Sequence, residues 1–197
     1  MPSTPIHPMP PFTKQVDLAS GIIHDPHRVQ TRRLSDLRGL FHAADAEAAL
    51  ASDDPLVYRV YDAHDAPNAA GQLLFSTTVI EPGRIGDEYF MTKGHYHAKE
   101  DRAELYYGLQ GEGCLLMQTR DGDVNVQWMR SGSAAYVPPY WGHRTVNTGT
   151  EPFVFLAVFP ADAGYDYGSI RERGFASRIV AGEDGPRIVP NPSYRGG

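Results

Sequence analysis

The chain has 197 residues, 41% hydrophobic and 21% charged, which is enough for one domain with a sizeable core and too apolar for general disorder. A formal net charge of -6 with no basic stretch excludes the electrostatic footprint of a nucleic-acid binder, and no apolar run approaches the roughly 20 residues of a membrane span. Cys114 is the single cysteine, so an internal disulfide framework is excluded and a reducing cytoplasm is the expected compartment.

Residues 1–12 hold Pro2, Pro5, Pro8, Pro10 and Pro11, which forbid helix and predict an extended or disordered arm over 1–15. The arm lacks the basic and apolar regions of a signal peptide. One domain is expected over 16–197. Ser35 stands as the N-cap of a short turn reaching Phe41, and the alanine-rich stretch 43–51 reads as helix.

Strands dominate the rest. They are expected at 56–61, 73–80, 104–110, 113–119, 124–129, 134–138, 144–147 and 153–159. Turn signals separate them: a loop over 62–71, Glu81-Pro82-Gly83, Gly111, and Arg120-Asp121-Gly122-Asp123. Two short apolar runs, 179–181 and 187–189, punctuate the tail. Short strands at this spacing predict a sandwich or barrel, with a short helical region near the N-terminus. Within 113–119, Cys114 reads as a small buried hydrophobe in preference to a nucleophile.

His95 and His97 flank Tyr96, so on an extended segment both rings project to one face, the simplest way a strand can offer two metal ligands. Glu104 follows at the start of the next apolar strand, and His143 comes two residues after Trp141, where another strand begins. The remaining histidines, His7, His24, His27, His42 and His64, read as surface or hydrogen-bonded residues. No G-x-x-x-x-G-K-[ST] loop is present, so a nucleotide site has no support.

Gly94-His95-Tyr96-His97, Glu104 and Gly111, followed by Gly132, Pro138, His143 and Asn147, resemble the two short motifs of the cupins. The spacing from His97 to Glu104 is longer than in the general cupin pattern, and Tyr140 stands where that pattern carries glycine. Both departures fit one branch. Thr92-Lys93-Gly94-His95-Tyr96-His97, Asp101-Arg102-Ala103-Glu104, Tyr136-Val137-Pro138-Pro139-Tyr140-Trp141 and His143-Arg144-Thr145-Val146-Asn147 closely resemble the cupin-type phosphoglucose isomerases of archaea and some bacteria. The likeness runs from near Val16 to Pro192.

That resemblance implies an all-β cupin barrel (a double-stranded β-helix of jelly-roll type), a homodimer, and one divalent metal on His95, His97, Glu104 and His143. Fe2+ is the implied metal, and Mn2+, Ni2+ and Zn2+ suit the same ligands. It implies interconversion of glucose 6-phosphate and fructose 6-phosphate, with Glu104 as catalytic base. A carboxylate on a metal is a weakened base, so hydroxide on the metal or a hydride shift remains the alternative. Tyr58, Thr78, Thr92 and Gly94 are implied as contacts to the phosphosugar, with Tyr106 close by and Lys93 adding charge. Tyr140 and Trp141 are expected as pocket walls or as core. Phe159 stands where related enzymes can carry a tyrosine, and Tyr165 where they can carry a histidine. The competing readings are a cupin metalloenzyme acting on another phosphosugar such as mannose 6-phosphate, an oxygenase, and a non-catalytic sugar-binding cupin.

Overall fold

Alternating β-branched and aromatic residues between glycine turns pair as strands throughout residues 9–196, the part of the chain described by a computed structural model. The strands are β1 Arg28–Arg33, β2 Leu56–Asp62, β3 Leu73–Ile80, β4 Arg84–Ile85, β5 Glu88–Tyr89, β6 Glu104–Gln110 and β7 Glu112–Gln118. β8 Val124–Arg130, β9 Ala134–Val137, β10 Gly142–Asn147, β11 Phe153–Pro160, β12 Ser177–Gly182 and β13 Gly185–Pro190 follow. Two helices, α1 Ala43–Ser52 and α2 Gly168–Arg173, and a 3-10 turn at Leu34–Leu37 lie between strands.

Three sheets result. A six-stranded sheet runs β1-β2-β3-β11-β6-β9, a three-stranded sheet runs β10-β7-β8, and a four-stranded sheet runs β13-β12-β5-β4. All pairings are antiparallel, and sequence-distant strands meet: β11 lies between β3 and β6, and β10 pairs with β7. The core between the sheets holds Phe153, Phe155, Leu115, Leu116 and Ile80, all 2% exposed or less. Each such side chain contributes about 1.5–3 kcal/mol through burial. At Gly111, with φ 71°, a Cβ would collide with the Pro152 carbonyl oxygen, so the tight link from β6 to β7 requires glycine. The architecture is an all-β cupin barrel with few helices.

Several sequence expectations change. β1 was not expected, because Arg-Val-Gln-Thr-Arg-Arg carries a single strongly apolar residue. Two-residue strands β4 and β5, and α2, also carry too little pattern to be found. Ser35 is not a cap: its hydroxyl donates to Asp54 Oδ2 at 2.8 Å, and Asp36 Oδ2 instead accepts the Arg33 N–H at 2.9 Å. His95 and His97 lie on an extended segment joined by single bridges, His95 to His143 and Tyr96 to Asp166, not on a full strand. Residues 1–8 of the predicted arm, with His7, lie outside the described residues. In its remainder, the Phe12 ring packs 4.9 Å from His64 and 6.3 Å from Phe75.

Candidate metal centre

Antiparallel pairing carries the site. The His95 N–H donates to the His143 carbonyl at 3.1 Å, and the His143 N–H returns to the His95 carbonyl at 2.9 Å. Two histidines 48 positions apart in sequence are thereby locked side by side. Their rings meet edge to face at 4.5 Å between centroids. The backbone reaches this register through Gly94 at φ 74°, where a Cβ would meet the Phe175 ring at 2.8 Å and the His143 carbonyl at 3.0 Å. Glu104 opens β6 opposite Val137 of β9, and strand alternation puts Tyr106 on the same face.

Donor atoms from His95, His97, Glu104 and His143 all lie within 4.8 Å of one another. Glu104 Oε2 stands 3.0 Å from His143 Nε2 and 3.2 Å from His97 Nε2. Two ligands at right angles, each about 2.1 Å from one ion, are about 3 Å apart. His143 Nε2 is close to Glu104 but outside hydrogen-bond geometry, and His95 Nε2 is buried without any partner. Orphaned imidazole nitrogens converging on a carboxylate are costly unless something accepts their lone pairs. A divalent metal fits that need.

The supporting contacts agree. His97 Nδ1–H donates to the Arg102 carbonyl at 2.9 Å, which leaves Nε2 with its lone pair as the ligand atom. Burial would raise Glu104, but His143 and His97 outweigh it and hold the carboxyl at about 2. Burial, reinforced by His143, pushes His95 well below its ordinary value. For His97, burial opposes protonation but the hydrogen bond to Glu104 prevails and raises it. An ionised carboxylate beside a neutral His95 is the protonation state that metal binding requires.

A cavity of about 300 Å³ opens above this cluster. His95, Glu104 and His143 border it, and so do Tyr58, Thr78, Thr92, Gly94 and Tyr106, the five residues expected from sequence at the phosphosugar. His97 is buried and does not border the cavity. Thr92 Oγ1 accepts the Thr145 N–H at 3.0 Å and Tyr58 Oη accepts the Lys93 N–H at 3.4 Å, leaving both O–H groups to donate. Burial first, then the nearby Glu104, keeps Tyr106 a neutral phenol.

Tyr140 and Trp141 do not border this cavity. Tyr140 is exposed, in the left-handed region at φ 72°, and Trp141 is partly buried against the hydrophobic core, beside a groove lined by Met117, Trp128 and Tyr136. Trp141 therefore meets the core alternative expected for it, and Tyr140 meets neither. Arg28, Gln30 and Arg32 do line the cavity and were missed. Their i, i+2, i+4 spacing was the available signal. Phe159 and Tyr165 also border it, with the Tyr165 ring edge-on to His95 at 4.8 Å.

A family model described as Glucose-6-phosphate isomerase (GPI) matches residues 31–192. The Thermococcus gammatolerans glucose-6-phosphate isomerase is 54% identical over 93% of this chain and 96% of its own length. That of Sinorhizobium medicae is 41% identical over 94% of this chain and 88% of its own. Among solved structures, Bacillus subtilis oxalate decarboxylase aligns at 27% identity and a TM-score of 0.45, over 55% of this chain and 26% of that one. With a matching family model over most of its length and relatives this similar, the chain belongs to the glucose-6-phosphate isomerase family.

Proposed function

We propose that this chain is a metal-dependent aldose–ketose isomerase that interconverts glucose 6-phosphate and fructose 6-phosphate. One observation carries the reading: in a member of this family, a three-histidine, one-carboxylate cluster borders, through His95, Glu104 and His143, a cavity also lined by hydroxyl donors. His95, His97, Glu104 and His143 would hold the metal, which supplies polarisation of the sugar carbonyl and counters the negative charge that develops on the two reacting oxygens.

Glu104 is assigned as the base that carries a proton between C1 and C2. Both histidine contacts fall on its Oε2, which leaves Oε1 free of them. Its low affinity for protons makes proximity, not basicity, its main asset. Tyr106 donates to a sugar hydroxyl. Thr78, Thr92, Tyr58 and the Gly94 amide bind the phosphate end. Isomerisation in D2O separates proton transfer from a hydride shift: solvent deuterium enters the product only if a base takes the proton and exchanges it with solvent, and Glu104→Gln then tests whether that base is Glu104.

Iron(II) is the proposed native metal, on the strength of the family likeness, since imidazole and carboxylate ligands suit several divalent ions. A homodimer is supported by an exposed apolar outer face holding Leu105, Tyr107, Trp128 and Tyr136. Residues 16–197 act as one domain. Among the described residues no helix is long and apolar enough to cross a membrane, and the cytoplasm is the proposed location.

The test is conversion of fructose 6-phosphate to glucose 6-phosphate, coupled to NADP reduction, before and after EDTA and again with iron or manganese restored. Activity that disappears on chelation and returns with metal is expected. Full activity in verified metal-free protein would remove the metal from the reaction. No activity in any metallated sample would direct the assay to mannose 6-phosphate.

A further inference from the structure

The segment that delivers His95 slips its register by one residue just before it. Met91 bridges Val146, and the Thr92 N–H donates to the Thr145 carbonyl at 2.9 Å. The next hydrogen-bonded pair is His95 with His143. Lys93 and Gly94 therefore stand opposite a single residue, Arg144, which makes a β-bulge. Gly94, at φ 74°, takes the left-handed conformation that absorbs the extra residue.

This bulge decides what the cavity sees. Positions 92 and 95 of a regular strand would point to opposite faces, yet Thr92 and His95 both border the cavity. Removing the slip would turn one of them away. A break in the ladder also leaves backbone groups to be satisfied by other means. The Thr145 N–H goes to Thr92 Oγ1 at 3.0 Å, and the Lys93 carbonyl accepts from Arg144 Nη2 at 2.8 Å.

Strand alternation sends Arg144 to the face opposite His143, so it reaches the bulge from the buried side and is only 4% exposed. Its Nη1 donates to Met91 Sδ at 3.1 Å, ahead of the bulge. Its guanidinium lies 4.4 Å over the Phe175 ring, which stands against Gly94. Stability is a poor reason for an arginine here. The buried Glu88 pairs with Arg178 at 3.6 Å, and among the described residues no carboxylate lies within ion-pair distance of Arg144. Arg144 Nε is buried without a partner. A buried cation lacking a counterion is costly, and an apolar side chain of similar size fills such a place at no loss. What the guanidinium adds is a donor for the Lys93 carbonyl.

We propose that Arg144 is a positioning residue: its guanidinium pins the Lys93–Gly94 bulge and so holds the His95 imidazole in the register that faces the metal. This role deepens the metal-dependent reading and rests on it for the ion.

The test titrates the full chain with Mn2+ and follows free and bound ion by electron paramagnetic resonance. Arg144→Met keeps the bulk and loses the donors. It is expected to weaken Mn2+ binding about 10–100-fold, the usual cost of losing support behind a ligand. The spectrum of the bound ion at saturation should also change, because the His95 ring is no longer held; a merely structural role leaves the loaded site unaltered. Arg144→Lys, which keeps a donor, should recover most of the affinity. Parent-like affinity in Arg144→Met, or weaker binding with a parent-like bound spectrum, overturns the proposal. If Arg144→Met does not fold, Arg144→Lys decides: retained affinity supports the role, and a loss of about tenfold or more overturns it. If Arg144→Met behaves as expected but the parent isomerises nothing, the isomerase reading fails and the positioning role stands. If the parent isomerises and Arg144→Met binds Mn2+ as the parent does, the positioning role fails and the isomerase reading stands.

Discussion

At the metal end of the cavity, His97, Glu104 and His143 are 5% exposed or less, and their donor atoms crowd onto one point. At the mouth, Arg32 and Lys93 are only half-buried, on an edge strand and a loop, and their polar groups are only partly satisfied. The first end is assembled from three chain segments whose ligands are almost wholly withdrawn from solvent; the second is a half-exposed surface of cations. Substitutions at the metal end should therefore act as all-or-none losses, and substitutions at the mouth as graded changes in affinity. Desolvation is the reason: a buried ligand set has no water to substitute for a missing member, whereas a half-exposed cation does.

The largest expected effect breaks the metal end outright. His143→Ala should abolish stoichiometric metal binding and lower kcat/KM at least ~1,000-fold, the scale of losing metal stabilisation of developing charge. Metal analysis alongside the coupled assay checks both, and a variant that keeps its full metal content would remove His143 from the ligand set.

Gly94→Ala tests the junction between the two ends. The new Cβ would fall 2.8 Å from the Phe175 ring and 2.9 Å from Arg144 Cβ, at a positive φ that alanine resists. We expect a loss of about 2–3 kcal/mol in urea unfolding of the metal-free protein. Weaker metal binding should accompany it, because Gly94 leads directly into His95. Parent-like stability would mean that this register is more adaptable than its contacts imply.

A smaller effect comes from behind the metal end. Buried Asp162 accepts from Lys99 Nζ at 2.8 Å and from Arg102 Nε at 3.0 Å, while the Arg102 carbonyl holds His97. The Arg102 and Lys99 contacts hold the Asp162 carboxyl below its ordinary value of 3.8. Because the folded value is the lower one, its contribution is fully present above the unfolded value and disappears as pH falls through the folded value. The melting-temperature gap between the parent and Asp162→Asn should therefore stay constant from pH 7 to about 5 and close below about 4. A gap that widens in acid would contradict this clamp.

The smallest change sharpens the comparison at the boundary of the two ends. Tyr165→Phe removes only a hydroxyl, while the ring remains edge-on to His95 and stacked 5.6 Å from Tyr167. We expect kcat/KM to stay within about threefold. A fall beyond 100-fold would assign the hydroxyl a part in proton movement.

Legibility in the sequence follows the same division. β3 and β6 run over the residues expected for them, and β7, β8, β9 and β11 differ by a residue at one or both ends. Their alternating runs and glycine turns are local signals. The ligands were legible because two histidines two apart and a glutamate opening an apolar strand form a compact pattern, to which the family likeness added His143. β1 was not legible. Its inward face is polar because it borders a charged cavity, so the usual rule that the apolar face points inward had nothing to detect. The aromatics after β9 divided: Trp141 packs against the core, the second of its two expected places, whereas Tyr140 is exposed and is neither pocket wall nor core.

By itself, the sequence determined the strand-rich class, the turns, and the residue types gathered at the metal, since each depends on side-chain chemistry and on a period of two along a single segment. Tertiary structure alone decided that His95 lies against His143, that Glu104 presents one oxygen to two histidines, and that Arg32 stands beside Tyr58 and near Lys93. Strand alternation specifies which residues share a face. Which face is covered, and what meets it there, is set by pairing between segments far apart in the chain.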